Sequence, residues 1–153
     1  MNYGMIRNII GKIMILLSIF MILPLIVSLA YQEGLRNYLA YLIPGFVSFG
    51  IGHFLNYKKS KDVKMGVKDG FVIVSLSWLI MSLIGCVPFM ISKDIPNFFN
   101  AFFETASGFT TTGATVVDVT TISHSGLFWR SFSHWIGGMG VLVLILAVIP
   151  ESK

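Results

Sequence analysis

The sequence predicts an all-α membrane protein with four transmembrane helices, one re-entrant helix and one extended loop. Of its 153 residues, 55% are hydrophobic and 12% are charged, whereas about a quarter of the residues in an average soluble domain are charged. Four apolar stretches each come close to the ~20 residues that a helix needs to cross a bilayer. They are residues 9–31, 38–57, 71–91 and 127–149. A shorter aromatic stretch lies between the third and the fourth of them.

Basic residues collect near the start of the first span and between the second and the third. Arg7 and Lys12 lie at the start of the first span. The later connection, residues 58–70, carries Lys58, Lys59, Lys61, Lys64 and Lys68. Because positive side chains near span ends are retained in the cytoplasm, both termini and this basic loop are predicted to be cytoplasmic. Membrane lipid is the expected neighbour, and no nucleic-acid partner is expected because the basic residues do not share one amphipathic face.

Prolines and glycines inside the spans predict bends or close helix packing. Pro24 and Pro44 fall within spans, and glycines recur from Gly45 to Gly52. Sharp kinks occur mainly at proline, and small residues let helix backbones approach each other in membranes. The single cysteine, Cys86, excludes an intramolecular disulfide and is expected to pack as a small hydrophobe.

The short aromatic stretch, residues 96–108, has the length and the boundaries of a re-entrant helix. About a dozen helical residues rise some ~18 Å, which is too short to cross the bilayer. Pro96 suits the first turn of a helix and Gly108 suits a C-terminal cap. We therefore expect a helix over residues 97–107 that enters the membrane partway, after which the chain returns in an extended conformation.

The Thr-Gly run, residues 110–114, follows this helix and is the candidate ion-binding site. Its members are Thr110, Thr111, Thr112, Gly113 and Ala114. Irregular backbone at membrane depth is tolerated where it is buried or lines a wet cavity, and there its carbonyl groups can replace the water around a cation. β-Branched threonines favour extended backbone, and Gly113 allows the positive φ that keeps successive carbonyls on one axis. The alternative is an ordinary polar loop beside a helix on the membrane surface.

Two longer motifs carry a resemblance to a known family. Residues 99–115 read FNAFFETASGFTTTGAT, and residues 128–140 read FWRSFSHWIGGMG. In this order and spacing they resemble the Trk/Ktr/HKT superfamily of potassium transporters, most closely its bacterial TrkH branch. The resemblance implies four unlike repeats, each made of a helix, a pore loop and a second helix, preceded by two extra helices.

On that plan, residues 1–57 hold the two extra helices and residues 58–70 the basic cytoplasmic loop. Residues 71–153 form the first repeat, with a re-entrant pore helix and an extended filter loop. Because the sequence contains one filter motif, we expect it to be the N-terminal portion of a longer transporter. The alternative is a short chain that oligomerises to complete a pore.

The resemblance also implies a function and partners. The expected function is potassium uptake across the plasma membrane by a pore-forming subunit, with potassium as substrate and no bound cofactor. The backbone carbonyls of Thr111, Thr112 and Gly113 would be the potassium ligands. Family members form homodimers and bind a cytoplasmic nucleotide-sensing regulatory protein, TrkA. A glycine at the position of Gly113 resembles the potassium-preferring members of the family.

Polar residues near the predicted outer end of the last span are candidates for supporting the filter. Arg130 and His134 are four residues apart and share a helical face. We interpret them as bracing residues, with Glu104 as the predicted partner of Arg130, because a fixed positive charge does not suit a cation pathway. Residues 137–140 are interpreted as a close-packing seam, with a hinge as the alternative.

Two other function classes compete with transport. A non-conducting membrane scaffold or anchoring subunit is the alternative that the sequence leaves open. A membrane-embedded enzyme lacks support, since the sequence has no His-Glu zinc pattern, paired catalytic carboxylates, nucleophile with a nearby base, or phosphate-binding glycine loop. We therefore predict that the protein is not an enzyme.

Overall fold

The computed structural model describes residues 3–57 and 67–148. Most of the predicted basic loop lies outside these described residues. Within them the regular secondary structure is entirely helical, which confirms the all-α prediction. The helices are α1 (Tyr3–Phe20), α2 (Ile22–Ala30), α3 (Leu35–Asn56), α4 (Val67–Gly85), α5 (Val87–Ser92), α6 (Phe98–Phe109) and α7 (His124–Val148), with a 3-10 turn at Val119–Thr121.

Three helical stretches of the described chain are long and apolar enough to cross a membrane. They are Tyr3–Ala30, Leu35–Asn56 and Lys68–Ser92, and they correspond to the first three predicted spans. The fourth predicted span lies in α7, apart from Ile149, which is outside the described residues. The chain is therefore an all-α membrane protein, and the count of four spans stays a prediction.

Two of the three stretches are interrupted just before a proline. The boundary between α1 and α2 falls at Met21, three residues before Pro24, and that between α4 and α5 falls at Cys86, two residues before Pro88. A proline lacks the N–H that would bond to the carbonyl four residues earlier and also displaces that carbonyl. Pro44, in contrast, lies inside the continuous helix α3.

The α1–α3 pair packs through glycine and serine. A Cβ atom on Gly52 would lie 2.7 Å from the carbonyl oxygen of Gly11, and one on Gly11 would lie 2.8 Å from that of Gly52. The buried hydroxyl of Ser48 donates to the carbonyl of Met14 at 2.8 Å. These contacts confirm close packing at Gly52, because side chains at either glycine would force the two backbones apart.

The short helix α6 packs against both α4 and α7. The fully buried Trp129 of α7 donates from Nε1 to the carbonyl of Gly85 at 2.9 Å. Its ring meets that of Phe109, the last residue of α6, edge to face with centroids 6.2 Å apart. The end of α6, where the Thr-Gly run begins, is thus fixed between two longer helices.

Candidate functional site

Helix α6 begins one residue later and ends two residues later than predicted. Asn97 caps its N-terminus, with its side-chain oxygen accepting from the backbone N–H groups of Phe99 and Asn100 at 2.9 and 3.2 Å. The helix continues through Gly108 to Phe109, so the prediction of a cap at Gly108 was wrong. Gly108 is buried, and a Cβ atom there would overlap the Ser133 hydroxyl of α7. Its small size serves packing between helices.

Threonines of the Thr-Gly run form the actual C-terminal cap of α6. The N–H of Thr112 bonds to the carbonyl of Ser107 and the N–H of Thr111 to that of Gly108, both at 2.9 Å. This pattern is a Schellman motif, in which the residue after the cap adopts left-handed backbone. Here that residue is Thr111, with φ of 57°, although left-handed backbone strains a β-branched side chain.

The conformation of the run therefore differs in part from the predicted one. Thr110 is helical, with φ of −88° and ψ of 0°, and Thr111 is left-handed, so neither is extended. Gly113 has φ of 76°, the positive value expected of it. All five residues of the run are exposed on the chain, although α6 just before them is largely buried.

Three consecutive carbonyl groups of the run have no partner within the described part of the chain. Among the residues that the structure describes, nothing donates a hydrogen bond to the carbonyl oxygens of Thr111, Thr112 or Gly113. The carbonyl of Ala114 accepts from the Ser107 hydroxyl at 2.7 Å. Of the five predicted residues, the middle three thus present free backbone acceptors. Ser107 was not predicted, and as a serine in the last turn of a helix it gave no distinctive signal.

Glu104 connects α6, α7 and the residues that follow the run. Its buried carboxylate pairs through Oε1 with Nε of Arg130. Oε2 accepts from the Thr115 hydroxyl at 2.9 Å and from the N–H of Val116 at 3.3 Å. The predicted contact between Glu104 and Arg130 is present. The charge of the fully buried carboxylate is balanced by the guanidinium and by two further donors.

His134 lies beside the end of α6 but bonds within its own helix. Its Nδ1 is 2.8 Å from the carbonyl oxygen of Arg130, which also accepts from the Ser133 hydroxyl at 2.7 Å. A Cβ atom on Gly108 would lie 3.4 Å from the same His134 nitrogen. His134 therefore packs beside the last turn of α6, and its supporting role stays a prediction.

Gly137 allows α7 to pass directly behind the Thr-Gly run. A Cβ atom there would overlap the carbonyl group of Phe109 and would lie 3.0 Å from the carbonyl oxygen of Gly108. This close approach agrees with the interpretation of residues 137–140 as a close-packing seam, at Gly137, the first of the four residues.

On the other side of the run, Asp118 caps the 3-10 turn that follows. Its carboxylate accepts from the side-chain hydroxyl and the backbone N–H of Thr120, at 2.7 and 2.9 Å. These two hydrogen bonds lower the pKa of Asp118. Asp118 is fully exposed, so a carboxylate stays in solvent close to the end of the run.

Together these features define a class of protein: a helical membrane protein whose short helix α6 leads into an exposed run of free backbone carbonyls, supported by a buried ion pair. The family model described as "TrkH: Cation transport protein" matches residues 39–153. The chain belongs to the TrkH family.

Individual relatives agree with this assignment. The Trk system potassium uptake protein TrkH of Escherichia coli is 39% identical over 98% of this chain, and an uncharacterized cation transporter of Methanocaldococcus jannaschii is 39% identical over 96%. The crystal structure of the potassium transporter TrkH from Vibrio parahaemolyticus matches 98% of the chain with a TM-score of 0.87 and 34% identity. These relatives are transporters, which agrees with the prediction that the chain is not an enzyme.

The chain spans about a third of the length of its relatives. It covers 31% of the Escherichia coli protein and 32% of the Vibrio parahaemolyticus structure.

Proposed function

We propose that this chain contributes one set of ion ligands to a potassium-uptake pore in the plasma membrane. The observation that carries the proposal is the presence of three adjacent carbonyls, on Thr111, Thr112 and Gly113, that accept no hydrogen bond from residues 3–57 or 67–148 and lie in an exposed run after the end of α6. Carbonyl oxygens can replace the hydration shell of a potassium ion. The C-terminal end of α6 adds a partial negative charge that favours a cation.

The exposure of the run is compatible with other protein surfaces around it, which supports the proposal. Polar backbone at membrane depth is stable only where it is buried in protein or lines a water-filled cavity. We propose that further pore repeats, or other copies of the chain, supply those surfaces. Thr110 and Ala114 flank the three carbonyls, and Glu104, Arg130 and His134 hold the backbone around them.

The proposed topology has four transmembrane helices and α6 as a re-entrant pore helix. With 25 residues, α7 is long enough to span, since a helix rises ~1.5 Å per residue. Residues 1–57 would form the extra N-terminal pair, 58–70 the basic cytoplasmic loop and 71–153 the first repeat, with the N-terminus cytoplasmic. The name "Trk system" of the relatives suits a multicomponent assembly, for which we propose a homodimer with a TrkA-like cytoplasmic regulatory subunit.

Growth of potassium-uptake-deficient cells at low external potassium tests this function. The complete gene should restore growth, and Gly113→Asp should abolish it, because the new side chain strains a backbone at φ of 76° and places a charge among the carbonyls. Val119→Asp is the matched control, since it adds the same charge on an exposed residue of the following turn.

Growth with Gly113→Asp, at protein levels equal to those of the control, would favour a non-conducting scaffold. A scaffold does not depend on the backbone conformation at this position and would tolerate the substitution.

A further inference from the structure

The first turn of α7 is held by two carboxylates from distant parts of the chain. Glu33, between α2 and α3, accepts from the backbone N–H of Ser125 at 3.0 Å and also from its hydroxyl. Asp94, after α5, accepts from the N–H of Ser123 at 3.1 Å and from its hydroxyl at 2.6 Å. Because the first N–H groups of a helix lack partners within it, both carboxylates act as caps supplied by other elements.

Glu33 is itself held in place for this contact. The amide of Asn37 donates to its carboxylate at 3.0 Å, and its backbone N–H bonds to the carbonyl of Ser28 at 3.1 Å. Burial raises the pKa of Glu33, but the hydrogen bonds from Asn37 and Ser125 outweigh that effect, so its pKa is lowered overall. Beside it, Tyr31 stacks on His124, the first residue of α7, with ring centroids 4.1 Å apart.

The same helix carries Arg130 to the ion-binding run. Arg130 follows Ser125 by five residues, about one and a half helical turns. A displacement of the first turn therefore moves the guanidinium relative to Glu104. Since the side chain of Glu104 is 0% exposed, water does not replace a lost partner. Glu104 in turn holds Thr115 and Val116 at the end of the run.

We propose that Glu33 is a positioning residue for ion selectivity: by capping α7 it sets Arg130 against Glu104 and so fixes the backbone that follows the Thr-Gly run. The inference rests on the proposed function. It gives the N-terminal helices a role at the filter, because Glu33 belongs to the connection between α2 and α3. The ring contact of Phe20 with Phe132, at 5.4 Å, also joins these helices to α7 but lacks the direction of a hydrogen bond.

Hydrogen exchange on the purified complete protein tests the mechanical part of this proposal. Glu33→Ala should accelerate exchange of the Ser125 amide about fivefold or more, the usual effect of a lost helix cap. The Val116 amide, bonded to Glu104, should exchange faster too. Glu33→Gln keeps one acceptor oxygen and should have a smaller effect. Arg36→Gln is the control, since it neutralises an exposed charge in the first turn of α3.

Two exchange results would overturn the proposal. If Ser125 exchanges no faster in Glu33→Ala than in Arg36→Gln, the cap does not hold α7. If Ser125 exchanges faster while Val116 is unchanged, the cap is local and does not position the run. Both results are independent of transport.

Uptake measurements test the consequence for ion choice. Initial rates for potassium and rubidium, normalised to folded protein, should show a preference that changes about twofold or more in Glu33→Ala. Arg130→Gln should change it in the same direction, and the double variant should not exceed Arg130→Gln alone. A lower amount of protein with unchanged preference would show a purely structural role. If the unsubstituted protein takes up neither ion, the proposed function fails, and the exchange of Val116 alone decides the role of Glu33.

Discussion

The α1–α3 pair and the Thr-Gly run are built in opposite ways. In the pair, Gly11 and Gly52 bring two helix backbones into contact and Ser48 bonds across them. In the run, three carbonyls lack partners in the described structure and Thr111 adopts a strained left-handed backbone. The buried hydroxyl of Ser48 thus has its partner within the pair. In the run, those three carbonyls stay available as acceptors.

Under the proposed function, this difference separates a structural region from a functional one. Buried polar groups are nearly always paired, and unpaired groups and backbone strain concentrate at binding sites. Damage to the pair should therefore reduce stability, and damage to the run should alter ion preference. Three sets of substitutions test this separation.

The largest effect is expected at the ion pair beneath the run. Reversing one charge, by Glu104→Arg or Arg130→Glu, should abolish uptake and destabilise the fold by about 3–5 kcal/mol, because it buries an uncompensated charge. The double reversal should restore folding, as measured by thermal unfolding in detergent. Uptake should return only in part, since an arginine at position 104 cannot accept from Thr115 and Val116. A double variant as unstable as the single ones would show that the pairing is unimportant.

A smaller effect, confined to stability, is expected where α1 packs against α3. Gly52→Ala places a Cβ atom 2.7 Å from the carbonyl oxygen of Gly11, and such overpacking costs about 1–3 kcal/mol. Gly50→Ala is the matched control, because a Cβ atom there meets no described atom within 4 Å. Ion preference per folded protein should be unchanged in both variants. A changed preference in Gly52→Ala would remove the distinction between the two regions.

The smallest effect on stability is expected at Thr111, the strained residue that follows the cap of α6. Thr111→Gly relieves the strain of φ at 57° but adds freedom to the unfolded chain, so stability should change by less than about 1 kcal/mol. The preference for potassium over sodium in uptake assays should fall, because glycine holds its carbonyl less firmly. An unchanged preference would mean that the side chain at this position does not orient the carbonyl.

Much of the fold was predictable because it depends on local properties of the sequence. Apolar length placed the first three spans, and the short aromatic stretch became α6. Gly113 has the positive φ expected of it. The contact of Glu104 with Arg130 was predictable because apolar segments contain few charges and a buried charge needs a partner.

The end of α6 was not predictable, because a glycine there can serve either as a C-terminal cap or as a site of close helix packing. Gly108 has the sequence features of a C-terminal cap, but its role is to admit Ser133 of α7. Only the packed structure shows which reason applies. With Gly108 inside the helix, the cap falls on Thr110 and the left-handed position after it on Thr111, whose preference for extended backbone is overridden.

The capping of α7 was likewise missed. Glu33 and Ser125 are 92 residues apart, and neither stands out in a single sequence. An acidic residue in a short connection between two helices is usually solvated, so the contact became visible only when the connections were seen together.

The hydrogen bonds of Ser107 and Glu104 have a thermodynamic consequence for a bound cation. They fix the backbone on the far side of the run through Ala114, Thr115 and Val116, and they leave the three free carbonyls unused. These intramolecular contacts restrain the orientation of the three carbonyl dipoles. Much of the entropy cost of ordering the carbonyls therefore falls on folding of the chain. On the proposed function, an entering ion would meet a preorganised site with a small reorganisation energy.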